Sequence, residues 1–137
     1  MTALVPIIPA YARSIWPQIE RWVASATDQT GNWWAPKDVL SGIERDKLVA
    51  WVVTDAERLF GMVGCEIEYA ANHSICVICL CAGDEMQRWL HLLPEIENWA
   101  SENGCSEVQV RGRPGWVRRL KSYGYGERYI AVGKALT

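Results

Sequence analysis

The sequence lacks long apolar runs. No stretch reaches the roughly 20 consecutive apolar residues that a helix needs to cross a bilayer. The first residues, MTALVPIIPAYARSIW, also lack the cationic start and the long apolar segment of a secretory signal. Half of the 137 residues are nevertheless apolar and 22% are charged, which is enough to build a core. We therefore expect a single domain over residues 1–137, without a membrane span, that is intracellular or part of a larger particle.

Histidine is scarce, and this limits metal binding. Only His73 and His91 are present beside five cysteines, two of which form a CxxC spacing in CVICLC. This spacing can hold zinc, but SICVICLC is β-branched and apolar and predicts a buried strand. Because side chains alternate along a strand, Cys76 and Cys79 should lie on opposite faces. An odd number of cysteines without a secretory signal favours reduced thiols, and we expect no metal site.

Acidic residues are almost absent from the end of the chain. Residues 111–137 hold seven Lys and Arg against one acidic residue, for a net charge of +6, whereas residues 1–110 hold seven against fifteen, for −8. We interpret the basic group as a surface that docks an acidic patch of a partner protein. The basic group consists of Arg111, Arg113, Arg118, Arg119, Lys121 and Arg128, and the docking surface is assigned to the first five of these. Nucleic-acid binding, with Trp116 and Tyr123 stacking on bases, is the weaker alternative because no nucleic-acid motif is present.

The spacing of apolar residues in the first half predicts two helices followed by three strands. A short apolar start (residues 4–8) precedes a helix over residues 10–26, in which Pro17 lies in the first turn or at a kink. Pro36 opens a second, short helix. Three strands follow: KLVAWVVT, then LFGMVGCEIEYA, in which Glu66 and Glu68 alternate with apolar residues, and then the apolar HSICVICLC. Hairpin turns are predicted at residues 55–58 and 71–72.

The second half predicts two further helices and two strands. Residues 83–104 form the longest helical pattern, kinked or divided by Pro94. The strand CSEVQV, a short helix over residues 114–122 and the final strand GERYIAVGKAL follow. The predicted order is β-α-α-β-β-β-α-β-α-β. This order indicates an α/β (α+β) fold in which helices flank both faces of a mixed, mostly antiparallel sheet.

This order and several local motifs resemble the GNAT superfamily of acyltransferases. GWVRRLKSYGYGER is similar to the family's late helix and the Gly-aromatic pair after it. Short GNAT-like proteins of phages and prophages are more similar still, with an acidic dipeptide, a W…EIE.WA…GC helix and a GR.GW.R.LK..GY segment. The matching residues are Gly83, Asp84, Glu85, Trp89, Glu95, Ile96, Glu97, Trp99, Ala100, Gly104, Cys105, Gly112, Arg113, Gly115, Trp116, Arg118 or Arg119, Leu120, Lys121, Gly124 and Tyr125. The resemblance implies the GNAT fold over nearly the whole chain, and a location in the host cytoplasm or the phage virion.

The resemblance also implies where acetyl-CoA would bind. GNAT enzymes hold its pyrophosphate on backbone N–H groups of a (Q/R)xxGx(G/A) loop before the long helix. The corresponding segment here, CLCAGDEMQRW, has one glycine and places Asp84 and Glu85 where the phosphates would lie. We expect these carboxylates to form the acidic first turn of the helix and to repel a diphosphate. Gly83, Arg88 and Arg113 remain as cofactor-binding candidates, and we expect no cofactor.

The family's catalytic residues are only partly matched. Its general-acid tyrosine corresponds to Leu120, which has no exchangeable proton, and Tyr123 is displaced by three residues. Glu66 and Glu68 lie on the returning strand, where the family often places a carboxylate that acts as general base. Their alternation with apolar residues is also typical of a solvated strand face. Glu66, Glu68 and Tyr123 are therefore the catalytic candidates.

Trp33 and Trp34 are adjacent in a segment rich in Gly, Asn and Thr, apart from the tryptophans of the predicted elements. They either pack on the sheet, line a pocket or anchor an interface, since tryptophan is enriched at binding hot spots.

Two functions of different class follow. The first, which we favour, is a non-catalytic component with a degenerate acetyl-CoA site, associated with the virion or its assembly. Its partners would be phage structural proteins or further copies of the chain. The second is an acyl-CoA-dependent N-acyltransferase with a divergent pyrophosphate loop, which would use acetyl-CoA.

Overall fold

The structure, a computed structural model, describes residues 1–29, 34–112, 115–128 and 131–136. Its strands are β1 (Ala3–Pro6), β2 (Val49–Thr54), β3 (Leu59–Tyr69), β4 (Ser74–Gly83) and β5 (Cys105–Val110). Its α-helices are α1 (Ala12–Gln29), α2 (Pro36–Glu44), α3 (Leu93–Glu102) and α4 (Gly115–Leu120). Single 3-10 turns lie at Pro9–Tyr11, Met86–Arg88, Leu90–Leu92 and Lys121–Tyr123. Up to α4, this order is the predicted one.

The five strands form one mixed sheet in the order β1-β2-β3-β4-β5. The first four strands are antiparallel to their neighbours, whereas β5 runs parallel to β4 because α3 carries the chain back. At the β2–β3 hairpin, Oδ1 of Asp55 accepts hydrogen bonds from the backbone N–H groups of Glu57 (2.7 Å) and Arg58 (2.9 Å). The predicted fold class and hairpin turn are confirmed.

Each face of the sheet is covered by helices and has its own core. The α1-side core, which also involves α2, includes Ile19, Trp22, Val39, Met62 and Leu80. The α3-side core includes Trp51, Val63, Cys76, Ile78, Trp89, Ile96 and Leu120. Helices thus flank both faces, as predicted. Within the described ranges, no helix combines the length and the hydropathy that a bilayer crossing requires.

Strand β4 contains one extra residue relative to β3. Cys65 pairs with Ile78 and Gly64 pairs with Leu80, so that Cys79 is left without a partner residue on β3. This bulge directs both Cys79 and Leu80 to the α1-side core. Cys76 lies in the α3-side core, so the two cysteines of the CxxC spacing lie on opposite faces, as predicted.

The predicted helix over residues 83–104 is wrong in its first half. Two 3-10 turns replace it, and α3 begins only at Leu93, with Pro94 in its first turn. Proline fits there because first-turn N–H groups have no acceptor within the helix, whereas further along its ring would clash with a preceding carbonyl. Pro17, in contrast, lies inside α1, which continues on both sides of it.

The predicted final strand is also wrong for the residues that the structure describes. Residues 126–128 and 131–136 form no strand. Val132 and Leu136 are 95% and 84% exposed, so no burial of these side chains offsets the entropy lost on ordering the segment. The middle of the prediction, residues 129–130, lies outside the described residues.

Candidate functional site

Strand β4 extends beyond the end of its pairing with β5. The last paired residues are Ile78 and Val110, and the N–H of Arg111 still donates to the carbonyl oxygen of Ile78 (3.3 Å). From residue 79 to residue 83, β4 pairs with β3 alone among the described residues. As far as the described residues show, one edge of this part of β4 is therefore open.

The backbone groups that face the open edge follow from the pairing with β3. The N–H of Asp84 donates to the carbonyl oxygen of Phe60 (2.7 Å), which makes these two a hydrogen-bonded pair. In an antiparallel pair, hydrogen-bonded and non-hydrogen-bonded positions alternate. Cys81 and Gly83 therefore direct their N–H and C=O groups away from β3 and towards the open edge.

A cavity of about 410 Å³ lies beside this edge. It is lined by Ser25, Cys81, Ala82, Gly83, Met86, Gly115, Trp116 and Arg119. Three consecutive strand residues point to alternate faces, so a cavity that touches all three lies against the edge of the strand rather than one face. Its volume is within the range of ligand sites in proteins. We call this space the β4 cleft.

Helix α4 supplies the charge of the cleft. Nη1 of Arg119 lies 3.1 Å from Sδ of Met86, and its guanidinium is 5.5 Å from the centre of the Trp116 ring. Arg118 and Lys121 are exposed and have no ion-pair partner among the described residues. Arg119 therefore supplies a positive charge to the lining of the cleft, and Arg118 and Lys121 are exposed cations on α4 and on the 3-10 turn after it.

The other predicted interaction residues lie elsewhere. Arg111 makes a bidentate ion pair with Glu68, in which Nη2 and Oε1 are 2.8 Å apart. Trp34 is half-buried against the α1-side core, which agrees with the packing alternative. Arg113 and Trp33 lie outside the described residues. The structure thus brings Arg118, Arg119 and Lys121 together, and engages Arg111 with a carboxylate.

The two predicted general bases do not line the cleft. Glu68 is held by Arg111, and the hydrogen bonds from that guanidinium keep the pKa of its carboxyl below the usual range. A carboxylate stabilised in its charged form is a poor proton acceptor. Glu66 is half-buried opposite Val77 on β4.

The predicted acid position is closed to solvent. Leu120 is 2% exposed and belongs to the α3-side core. Tyr123 is 37% exposed and does not line the cleft. Tyr125, which the sequence did not single out as a proton donor, directs its hydroxyl to Oε2 of Glu97 (2.9 Å). Burial and this carboxylate raise the pKa of Tyr125 well above its usual range.

Gly83 serves packing at the junction between β4 and α3. A Cβ atom there would lie 2.4 Å from the carbonyl oxygen of Phe60 and 2.5 Å from Cα of Gly61. The buried Trp89 ring covers both glycines, and its Nε1 donates to the carbonyl oxygen of Asp84 (2.9 Å). Gly83 was the one glycine that a phosphate-binding loop could have used. Close strand pairing with Gly61 and the indole of Trp89 explain why a glycine is needed there.

The carboxylates of Asp84 and Glu85 are paired with arginines. The prediction that they form the acidic first turn of the long helix is wrong, because α3 begins only at Leu93. Asp84 lies 3.4 Å from Nη2 of Arg21. Glu85 contacts Arg58 and Arg88, and both guanidinium groups lie over the Phe60 ring, 4.1 and 4.6 Å from its centre. Arg88, a predicted cofactor ligand, is therefore engaged by Glu85 and Phe60.

The junction does not fit the pyrophosphate of acetyl-CoA. The N–H groups of Asp84, Arg88, Trp89 and Leu92 already donate to carbonyl oxygens of the protein. The first turn of α3 contains Pro94, which has no N–H, and Glu95, which is acidic. Anions bind at helix starts through free N–H groups and a positive dipole end. These residues supply little of either.

The cysteines show no metal-ligating arrangement within the described part of the chain, since no three of its His, Cys, Asp and Glu residues form a group that could hold an ion. Cys81 lines the cleft, and burial raises the pKa of its thiol to about 12. The thiol is thus protonated at neutral pH and is a weak nucleophile.

The sequence matches no protein-family model and no curated protein. Among solved structures, it is similar to an aminoglycoside acetyltransferase from an uncultured soil metagenomic sample (10% identity, TM-score 0.70, 100% of this chain and 99% of that one). It is also similar to glucosamine-6-phosphate N-acetyltransferase from Arabidopsis thaliana (12%, 0.67, 100% and 99%). A third is aminoglycoside N-acetyltransferase AAC(6')-Iy in complex with CoA (14%, 0.63, 98% and 95%). The likeness to phage proteins stays a prediction. The chain has the GNAT fold, which it shares with these N-acetyltransferases.

Proposed function

We propose that this chain is a GNAT-fold protein that does not transfer acyl groups and acts as a binding component of a phage particle or of its assembly. The observation that carries the proposal is the junction between β4 and α3. Trp89 packs on Gly61 and Gly83 there, and the N–H groups of Asp84, Arg88, Trp89 and Leu92 donate to protein carbonyls. These four groups are therefore not free to bind an anion.

The positions of the acid and of the base support the same proposal. Leu120, at the acid position, is an apolar core residue. Glu68 is held in its charged form by Arg111. General acid–base catalysis requires a proton donor and an acceptor within reach of the substrate, and neither residue lines the cleft.

The surface that would bind a partner is the exposed side of α4. Arg118, Arg119 and Lys121 form a cationic group, and Val117 beside them is 42% exposed. Cations next to an exposed apolar side chain suit an acidic protein surface better than a uniform array of phosphates. We therefore propose an acidic surface of a phage structural protein, or of another copy of this chain, as the partner.

Titration with acetyl-CoA, by calorimetry and by tryptophan fluorescence, tests this function. We expect no saturable heat and no saturable fluorescence change up to millimolar ligand. Saturable binding in the micromolar range, weakened by Arg88→Glu but not by Lys37→Glu on α2, would overturn the proposal. That result would favour an N-acyltransferase with a divergent loop. Virion genes beside the gene for this chain would support the phage assignment.

A further inference from the structure

The side of the molecule that carries α3 and α4 presents an acidic helix and a basic helix. We propose that a second copy of this chain binds there, with α4 of each copy on α3 of the other, in a two-fold symmetric dimer. This inference rests on the proposed function, because it names the acidic surface that the exposed side of α4 binds.

Helices α3 and α4 lie on the same side of the sheet. Ile96 of α3 and Leu120 of α4 are both buried in the α3-side core and line the same apolar cavity. After α4, the hydroxyl of Tyr125 donates to Oε2 of Glu97 on α3 (2.9 Å). A partner surface that is broad enough to cover both helices therefore contacts the exposed side of each.

The two helices carry equal and opposite charge. Leu93–Glu102 contains three glutamates and no Lys or Arg. Residues 115–123, which form α4 and the 3-10 turn after it, contain Arg118, Arg119 and Lys121 and no Asp or Glu. One chain thus presents both halves of a charge-complementary contact.

Two glutamates form a stripe on the exposed side of α3. Glu95 and Glu102 are exposed, and neither makes an ion pair with another residue that the structure describes. They are seven residues apart, which is about two helical turns, so they lie on one face about 10 Å from each other. Ile96 and Ala100 occupy the buried face of the same helix. Within the described ranges, this acidic stripe therefore has no basic counterpart.

The exposed side of α4 and of the turn after it is complementary to this stripe. Arg118 and Lys121 are exposed, and they too make no ion pair with any described residue. Val117, beside Arg118, adds an exposed apolar side chain. Apolar contact at the centre with charges around it is the usual composition of an interface between proteins.

A second copy of the chain satisfies both surfaces at once. When α4 of one protomer lies on α3 of its partner, a two-fold axis creates the same contact a second time, with the roles exchanged. An unrelated acidic protein would attract Arg118 and Lys121, but Glu95 and Glu102 on the same side of the molecule would repel it. Charge therefore favours a second copy over an acidic surface of another protein.

Sedimentation of the wild-type chain over a range of concentrations tests the dimer. We expect a mass that rises with concentration and stops at two copies, because a two-fold contact occupies both surfaces. Raising NaCl from about 0.1 M to about 1 M shortens the Debye length from about 10 Å to about 3 Å and should raise the dissociation constant about tenfold or more. A chain that is still monomeric at about 1 mM, or a mass that continues beyond two copies, would overturn the proposal.

Charge reversal on either helix identifies the surfaces. Arg118→Glu/Lys121→Glu places like charges of negative sign against each other, and Glu95→Lys/Glu102→Lys places like charges of positive sign against each other. Each double variant should raise the dissociation constant of the dimer about tenfold or more, because juxtaposed like charges oppose binding.

The matched control reverses one lysine and one arginine on the other side of the sheet. Lys37 and Arg45 are exposed on α2 and at its end, and α2 packs in the α1-side core. Lys37→Glu/Arg45→Glu gives the chain the same net charge as Arg118→Glu/Lys121→Glu. The control should change the dissociation constant about twofold or less, since these charges are distant from the interface. An equal loss in both variants would contradict the assignment.

A mixture of the two reversed variants gives the sharpest test. In a heterodimer of Arg118→Glu/Lys121→Glu with Glu95→Lys/Glu102→Lys, both contacts again join opposite charges. We expect a heterodimer whose dissociation constant is within about threefold of the wild-type value. Circular dichroism verifies that each variant is folded, and absence of the heterodimer between folded variants would overturn the proposal.

The acetyl-CoA titration separates this inference from the function on which it rests. Binding of acetyl-CoA in the micromolar range overturns the proposed function, whether or not the chain dimerises. If the chain neither binds acetyl-CoA nor dimerises, the function stands and the inference alone fails.

Discussion

The end of β4 has two edges that differ in every respect. Against β3, Gly61 and Gly83 are in close contact, Trp89 covers them, and the N–H of Asp84 is hydrogen-bonded to β3. Against the cleft, the N–H and C=O groups of Cys81 and Gly83 face a cavity of about 410 Å³. The comparison shows that one edge of the same strand is closed by pairing and by an indole, whereas the other directs the backbone groups of two residues into a cavity.

The largest effect is expected from filling the packed edge. Gly83→Ala would place a Cβ atom 2.4 Å from the carbonyl oxygen of Phe60, where backbone atoms have to move. We expect a loss of about 2–3 kcal/mol in the free energy of unfolding, as for overpacked cores. Urea denaturation, followed by circular dichroism, measures it.

Gly115→Ala is the matched substitution on the cleft side. A Cβ atom at Gly115 would have no other atom within 4 Å. Alanine also has a higher helix propensity than glycine. The expected change is about 0.5 kcal/mol, in the stabilising direction. Equal losses for the two variants would show that the two edges do not differ in packing.

A smaller effect is expected from Trp89→Phe. The substitution keeps an aromatic ring over Gly83 but removes the Nε1 donor to the carbonyl oxygen of Asp84. Loss of this bond and of part of the ring should lower the free energy of unfolding by about 1–2 kcal/mol. Trp116→Phe in the cleft wall, measured in the same denaturant series, should lower it by less. A larger loss for Trp116→Phe would reverse the assignment of the packed and open edges.

The smallest effect is expected where the pairing between β4 and β5 ends and the open edge of β4 begins. Arg111 follows β5 there and reaches across β4 to Glu68. Because Arg111 lowers the pKa of Glu68, the pair stabilises the fold above the unfolded-state pKa of glutamate, about 4.3. This contribution is lost as pH falls through the lower pKa of the folded state. Both side chains are more than a third exposed, so Glu68→Gln should cost only about 0.5 kcal/mol at pH 7.

Unfolding of Glu68→Gln and of the wild type, compared at pH 7 and pH 3, measures this contribution. The difference should be fully present at pH 7 and should shrink as the pH falls below about 4.3, through the lowered pKa of the folded state. The double variant Glu68→Gln/Arg111→Gln completes the cycle and isolates the pair from other effects of each substitution. A difference of the same size at pH 7 and at pH 3 would mean that the carboxylate charge is not its source.

Local patterns in the sequence were sufficient for most of the fold. Strands β2 and β4 are nearly continuous apolar runs because both of their faces are covered. The side chain of Asp55 itself forms the turn between β2 and β3. The helix over residues 83–92 was predicted wrongly because 3-10 turns also direct Trp89 and Leu90 inwards, so apolar spacing does not separate the two structures. The signal that was available is Pro94, which marks the first turn of α3.

The site was less predictable because its contacts join distant parts of the chain. Asp84 and Glu85 were identified, but the partner Arg21 lies 63 positions before Asp84, and Arg58 lies 27 positions before Glu85. Arg111 was assigned to a docking surface, although Glu68, 43 positions earlier, engages it. The spacing of apolar residues along the chain carries no information on ion pairs between residues that are so far apart in sequence. The open edge of β4 depends on where β5 leaves the sheet, which is a property of the packing of both strands.

The bulge at Cys79 determines the pairing register, and with it the side-chain direction, of every later residue in β4. If the same sequence paired without a bulge, Gly64 would lie opposite Cys79, and each later residue of β4 would lie opposite the β3 residue that precedes its present partner in the chain. Leu80 would then point to the α3-side core, and Cys81 to the α1-side core. Cys81 and Gly83 would turn their N–H and C=O groups to β3, and Leu80 and Ala82 would face the cleft instead. The bulge thus decides which residues of β4 fill each of the two cores and which two residues face the open edge.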